Sequence, residues 1–191
     1  MRFAGRLSRT AFAELIDSRH DEIRASMGLL ALYGLAGWSG PAGIGPWGWE
    51  NGVLSTAGLV FGVPDGPGPW VEIVTTAGPA EGWVHDQRLA AQPPPHDNET
   101  YQRMVDAMEA VQPDELALEV DGVVQTFRLW PDGDGQPGWY AARAGVPGLA
   151  VAARGLEPHE VRLVAVADVE PYLAASRVGM LTTYDAAQPP P

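Results

Sequence analysis

The 191-residue sequence contains no cysteine and no lysine. Without cysteine the chain cannot form disulfides, thiolate metal sites or a thiol nucleophile. All 12 basic residues are arginine and they face 24 acidic residues, for a net charge of −12. This negative charge repels the phosphate backbones of nucleic acids, so we expect no direct nucleic-acid binding. The same charge attracts basic partners.

Long hydrophobic segments are also missing. The longest apolar run, residues 27–38, has about twelve residues, whereas a membrane-spanning helix needs roughly 20. The first 24 residues alternate in charge and lack the apolar region of a secretion signal. We therefore expect a cytoplasmic protein with no membrane contact.

The segment Asp-Gly-Asp-Gly at 132–135 is the one sequence that suggests a calcium loop. Such a loop needs glycine at its sixth position and glutamate at its twelfth, where this chain has Pro137 and Arg143. The histidines lack the spacing of metal ligands, and they are His20, His85, His96 and His159. We expect no metal and no cofactor.

A nucleophile elbow is suggested by Gly-Trp-Ser-Gly at 37–40. That motif requires a glycine two residues after the serine, and here Pro41 follows Ser39 and Gly40. The strand–turn–helix context of the motif is missing too. Ser39 is therefore not favoured as a nucleophile.

Periodicity predicts an α+β fold. Apolar residues at helical spacing predict one helix from a Ser8 cap to near Gly34, and a second from Asp97 or Asn98 to Pro113. Later segments alternate as strands do, and Asp121-Gly122 is a strong hairpin signal. The prediction is an antiparallel β-sheet, a meander of five or more strands, with two or three packed helices.

The domain organisation follows from one proline-rich stretch. Residues 1–90 form an N-terminal helix, a Trp/Gly-rich loop and a hairpin, and 91–97 form a linker containing three consecutive prolines. Residues 98–180 form a helix and the meander, and 181–191 a disordered tail. The sequence leaves open whether the two halves share one core.

A Pro-Asp-Gly turn followed by a tryptophan occurs twice, within 63–78 and 130–145. Proline fixes the first corner of such a turn, aspartate bonds its own backbone and glycine takes a positive φ. A hairpin loop used twice explains the similarity. A diverged internal duplication stays open as the alternative.

The candidate binding site is a segment dense in glycine and tryptophan, Gly37–Gly52, which we predict to be a loop. Tryptophans beside a carboxylate and an amide can bind a sugar, a cation or a peptide, and tryptophan is frequent at protein interfaces. The alternative is that these side chains fill one end of a core. The candidate residues are Trp38, Trp47, Trp49, Glu50, Asn51 and His85.

Arginines on the predicted strands form a second group of candidates. Some of them are expected to align with Glu115 or Glu119 across the sheet. An arginine cluster that grips a carboxylate or phosphate is the alternative. The residues are Arg128, Arg143, Arg154 and Arg162.

Function is predicted from charge and from the tryptophan segment together. We expect a non-catalytic acidic interaction protein: an adaptor, an inhibitor or immunity-type partner of another protein, with a basic protein as one candidate, or a self-associating subunit. One alternative is a metal-independent enzyme that uses His85, Asp86, Glu50 or His159. The other is a small-ligand-binding protein with a Trp-lined pocket.

Overall fold

The computed structural model describes residues 7–63, 66–92, 97–131 and 138–187. Four segments named in the sequence predictions therefore lie outside the described residues. They are Pro64-Asp65, linker residues 93–96 with His96, loop 132–137, and tail residues 188–191. The helices of the described part are α1 (Arg9–Ala25), α2 (Glu81–Ala90), α3 (Asn98–Ala110) and α4 (Glu170–Ala186), with a 3₁₀ turn at Pro158–Glu160. The strands are β1 (Tyr33–Leu35), β2 (Ala42–Glu50), β3 (Val53–Phe61), β4 (Trp70–Thr76), β5 (Asp114–Val120), β6 (Val123–Pro131), β7 (Gly138–Arg143), β8 (Gly148–Arg154) and β9 (Arg162–Ala165).

The nine strands form one curled sheet, a half-barrel, in the order β1-β9-β5-β6-β7-β8-β4-β3-β2. The α+β class and the largely antiparallel pairing are confirmed. The prediction of a plain meander with two or three helices is wrong in detail, because β9 pairs in parallel with β5 and the described residues form four helices. A parallel neighbour needs a crossover connection, which local sequence patterns do not indicate.

Strands from both predicted segments belong to the same sheet. Two antiparallel pairs join them: the short pair β1–β9, and the pair β4–β8, which runs from Trp70 opposite Arg154 to Thr76 opposite Gly148. Each repeated Pro-Asp-Gly segment connects two antiparallel neighbours, β3 to β4 and β6 to β7. A hairpin loop joins two antiparallel neighbouring strands, and both segments have such strands on either side.

Helix caps follow the sequence at two of the predicted points. The Ser8 hydroxyl accepts a hydrogen bond from the Ala11 amide at 3.1 Å, and Asp97 accepts one from Thr100 at 2.7 Å. Helix α1 ends at Ala25, well before Gly34, because Gly28 turns the chain with φ 87°. Helix α4 continues to Ala186, so residues 181–186, assigned to the tail, are helical.

The inner face of the sheet, which lies within the curl, holds the main core. Leu118, Val120 and Phe127 are at most 2% exposed there, and Leu116 and Leu129 pack against them, as the alternation predicts. The other members of this cluster are Leu35, Leu59, Phe61, Val71, Ile73, Trp139, Ala141, Leu149, Val151, Ala153, Val161 and Leu163. Because both predicted segments contribute residues, they share this core.

Helices cover the two faces unequally. Ion pairs join α1 to α4 beside the β2 end of the sheet, and they are Arg9–Asp185, Arg24–Glu170 and Arg177–Asp17. Helix α2 packs against β7 and β8 on the outer face, where Val84, Trp130 and Ala150 form a smaller cluster. No helix in the described ranges is long and apolar enough to cross a membrane.

Candidate functional site

The Trp/Gly-rich segment, predicted as a loop, is mainly edge strand β2. It pairs with β3 from Ala42 opposite Phe61 to Glu50 opposite Val53, with an irregular register around Gly45 and Pro46. An edge strand tolerates proline at a bulge because the missing N–H need not bond a neighbour. Glycine and proline obscured the strand signal, so the loop prediction was wrong here.

Trp38 lies apart from the other tryptophans, before β2 begins. Its indole N–H donates to the Pro41 carbonyl at 3.0 Å, and its ring meets Phe61 edge to face at 6.2 Å. The half-buried ring packs on the inner core and borders a glycine- and proline-lined depression of about 410 Å³.

Trp47 and Trp49 come together with helix α1. Both pack on a cluster that includes Ile23 and Leu54, and the Arg19 guanidinium lies 4.4 Å from the centre of the Trp49 ring. Arg19 also donates to the Trp47 carbonyl at 3.0 Å, while the buried Trp47 Nε1 has no hydrogen-bond partner. These contacts are those of side chains that close one end of a core.

The remaining predicted residues are separated. Glu50 and Asn51 are exposed at the β2–β3 turn, where Asn51 has φ 50° and is followed by Gly52 at φ 79°. His85 lies on α2, which packs on the outer face of β7 and β8. The structure thus does not gather the six predicted residues around one pocket.

The strand arginines do not converge either. Arg128 lies opposite Glu115 and Arg162 beside Glu119, which is the alignment expected from the sequence. Arg143 instead donates to the Gln125 side chain at 2.8 Å, and Arg154 lies 5.8 Å from the ring centre of Trp70. No group of three or more histidines and carboxylates in the described ranges could hold a metal ion.

An apolar groove of about 590 Å³ lies between α4 and edge strand β2, and we call it the α4–β2 groove. It exists because both sides present small residues: Ala175, Ser176 and Gly179 share one helix face, and Ala42 and Gly43 form the strand side. The other lining residues are Phe12, Pro41, Ile44, Val60, Gly62, Met180, Thr183, Tyr184 and Ala187.

Hydroxyl groups supply the polar side-chain atoms of the groove. The Thr183 hydroxyl donates to the Gly179 carbonyl at 3.0 Å, and the Tyr184 hydroxyl donates to the Leu7 carbonyl. A hydroxyl has one proton and two lone pairs, so both groups are left as acceptors. Among the described residues, the lining includes no charged side chain, and the stacked rings of Phe12 and Tyr184, 4.8 Å apart, close one end.

A second unusual feature lies on the outer face of β4. Glu72 is 8% exposed in the middle of the sheet, and burial raises the pKa of its carboxyl group to about 7. Its cross-strand neighbours are Val60 and Ala152, which offer no hydrogen bond through their side chains. Trp70, two residues earlier on the same face, has a buried indole N–H without a partner.

Sequence reasoning missed both the groove and Glu72. A signal for Glu72 was present, because a charged residue interrupts the apolar run of a strand that is buried on both faces. The groove had no comparable signal, since it depends on how α4 packs against a strand more than 120 residues away in the sequence.

Comparison with known proteins adds no family assignment. No protein-family model, no curated protein and no solved structure matches the chain.

Proposed function

We propose that this is a non-catalytic binding protein that holds a small, neutral, mainly apolar molecule in the α4–β2 groove. The observation that carries the proposal is the uncharged apolar cavity of about 590 Å³. Ligand pockets have volumes of about 300–1,000 Å³ and are mostly apolar, with a few placed polar groups. A small-ligand-binding protein was one of the alternatives drawn from the sequence, but the proposed pocket is lined by α4 and β2 rather than by the tryptophans.

The hydroxyls of Thr183 and Tyr184 define the polar end of the ligand. Because both hydroxyls donate their protons to backbone carbonyls of the protein, they can only accept hydrogen bonds from a ligand hydroxyl or amide N–H. A carboxylate would find no cation among the lining residues and would be desolvated at a cost. The expected ligand is therefore an alcohol or amide rather than an acid.

The test uses decan-1-ol and decanoate as probes in isothermal titration calorimetry. We expect wild-type protein to bind decanol and to bind decanoate at least tenfold more weakly at pH 8. Gly179→Leu should abolish decanol binding, because a Cβ at Gly179 meets no atom within 4 Å and the added side chain extends into the groove. Leucine also has the higher helix propensity, so the fold should persist.

Val178→Leu is the matched control, since Val178 is the preceding residue of α4, is 66% exposed and does not line the groove. It should leave decanol binding unchanged. A folded Gly179→Leu protein with wild-type affinity, or a wild-type protein that binds neither probe, would overturn the proposal.

The acidic interaction protein remains the second proposal. Its support is the net charge of −12 and the exposed β2–β3 turn, where Glu50 and Asn51 precede Val53, which is 66% exposed. The experiment is capture of proteins from lysate by wild type and by Glu50→Lys/Val53→Lys. The control is Glu119→Lys/Val124→Lys, a cross-strand pair on the β5–β6 hairpin.

A basic partner that is lost at high salt and from the β2–β3 variant, but kept by the control, would support an interaction through this turn. Equal capture by both variants would exclude the turn as the contact surface.

A further inference from the structure

A polar pocket of about 270 Å³ lies between α2, the end of α3 and strand β6. Its floor is apolar, since Val84, Met108 and Trp130 are each at most 9% exposed. The other lining residues are Glu81, His85, Arg88, Glu109, Val111, Gln112, Pro113 and Arg128. This pocket thus contains one residue of the predicted site, His85, and one of the predicted strand arginines, Arg128.

The lining contains as many basic as acidic side chains, Arg88 and Arg128 with Glu81 and Glu109, although the chain as a whole is strongly acidic. Two of the 12 basic residues line the pocket, and one of them, Arg88, is only 8% exposed. Burial of a guanidinium costs free energy unless other groups compensate its charge. Arg88 already interacts with other groups of the protein, so its guanidinium is a fixed part of the wall.

Arg128 is held more loosely. Its Nη1 lies 3.7 Å from Glu81 Oε1, beyond hydrogen-bond distance, whereas Arg24 and Glu170 approach to 2.6 Å. The Arg128 side chain is 59% exposed and it is directed to the same pocket. Its planar fork of N–H donors matches the two oxygens of a carboxylate.

We propose that this pocket binds a small monocarboxylate whose apolar body lies on Trp130 and Met108 and whose carboxylate pairs with Arg128 beside Arg88. The carboxylates of Glu81 and Glu109, which also line the pocket, repel an anion of higher charge, such as phosphate, more strongly than a monocarboxylate. The proposal is independent of the α4–β2 groove, since the two cavities have no lining residue in common.

The test compares 3-phenylpropanoate with its neutral amide, 3-phenylpropanamide, and with inorganic phosphate by isothermal titration calorimetry at pH 8. We expect the carboxylate to bind at least tenfold more tightly than the amide, with phosphate unable to displace it. Raising the salt concentration should weaken carboxylate binding. Equal affinity for acid and amide, displacement by phosphate, or no binding of the acid would overturn the proposal.

Arg128→Gln should reduce carboxylate binding at least tenfold without loss of the fold, because the side chain is largely exposed. Arg103→Gln on α3 is the control, since Arg103 is 71% exposed and lies outside the pocket. Gly179→Leu should also leave carboxylate binding unchanged, which separates this site from the groove. Wild-type affinity in Arg128→Gln would contradict the assignment.

Discussion

On the inner face of the sheet, the described side chains buried around Phe127 and Leu149 carry no charge, and the one hydroxyl among them, that of Thr75, donates to the Ala31 carbonyl, whereas the outer face buries the carboxyl group of Glu72. Helix α2, which packs on the outer face, also buries Arg88. Indole groups differ in the same way: Trp139 on the inner face donates to the Leu156 carbonyl at 2.8 Å, and Trp70 on the outer face has no acceptor in the described part of the chain.

The contrast indicates a division of roles between the faces. The inner face removes a continuous apolar surface from water, and this burial is the dominant favourable contribution to folding. The outer face keeps ionisable groups in a poorly hydrated environment, where proton uptake and charge pairing change stability strongly. Properties that depend on pH and on bound anions are therefore expected mainly on the outer side.

The largest effect is expected from Phe127→Ala, which opens a cavity in the inner core. Removal of a buried phenyl ring should lower the free energy of unfolding by about 3–5 kcal/mol, measured by urea denaturation. Val124→Ala is the control on the same strand, because Val124 is 70% exposed. A similar small loss in both variants would show that the inner face is not the main core.

Glu72→Gln should raise stability at alkaline pH. The folded state holds the proton up to a pKa of about 7, whereas an unfolded glutamate has a pKa near 4.5. The wild type therefore loses stability as pH rises from 4.5 through 7, by about 3 kcal/mol in total. Glutamine carries no charge, so the variant should be more stable than wild type at pH 9 but not at pH 4.5.

Urea denaturation of both proteins at pH 4.5, 7 and 9 measures this difference, and other titrating groups cancel in the comparison. A stability difference that is the same at all three pH values would contradict an outer face that buries a neutral carboxyl group.

The paired substitutions Trp139→Phe and Trp70→Phe compare the two faces with the same chemical change. Loss of the Trp139 hydrogen bond leaves the Leu156 carbonyl without that donor and should cost about 1–2 kcal/mol. Trp70→Phe removes an unpaired buried N–H and should cost at least about 1 kcal/mol less. Thermal denaturation measures both, and an equal loss would indicate that Trp70 has an acceptor in solution.

The smallest effect is expected from His20 on α1, which helps to cover the β2 end of the sheet. Burial lowers the pKa of His20 below 6.5, and Arg24 lowers it further, while Asp17 and Glu170 partly offset this. The unfolded state then binds the proton first, so stability should fall as pH drops below about 6.5.

His20→Gln should make stability less dependent on pH between 7 and 5, measured by denaturant titration at both values. If the pH dependence of stability is unchanged in the variant, other groups cause it. A steeper pH dependence in the variant would contradict the lowered pKa of His20.

Local patterns predicted β5 and β6 well. Leu116, Leu118 and Val120 alternate with polar residues, and Asp121-Gly122 supplies the positive φ values that the turn requires, 51° and 76°. Strand β2 escaped prediction because its residues from Ala42 to Trp49 are all half-buried, so no alternation of buried and exposed positions marks it. There, glycine and proline suggested a loop.

The candidate site was less predictable than the fold. Trp47 and Trp49 were chosen for their side-chain chemistry, but their packing depends on Ile23 and Arg19 of a helix that the sequence could not orient. His85 borders a polar pocket only because α2 lies next to Arg128 of β6. Residues far apart in the chain become neighbours through strand order, which local periodicity does not encode.

The sequence by itself determined what acts over a few residues: the Ser8 and Asp97 caps, the glycine turns, the alternation of β5 and β6, and the absence of thiol chemistry. Only the tertiary structure decided the pairing of β4 with β8, the parallel pairing of β5 with β9, the burial of Glu72 and the space between α4 and β2. The physical reason is range: caps and turns satisfy backbone groups nearby, whereas burial and cavities depend on surfaces that meet after the whole sheet has formed.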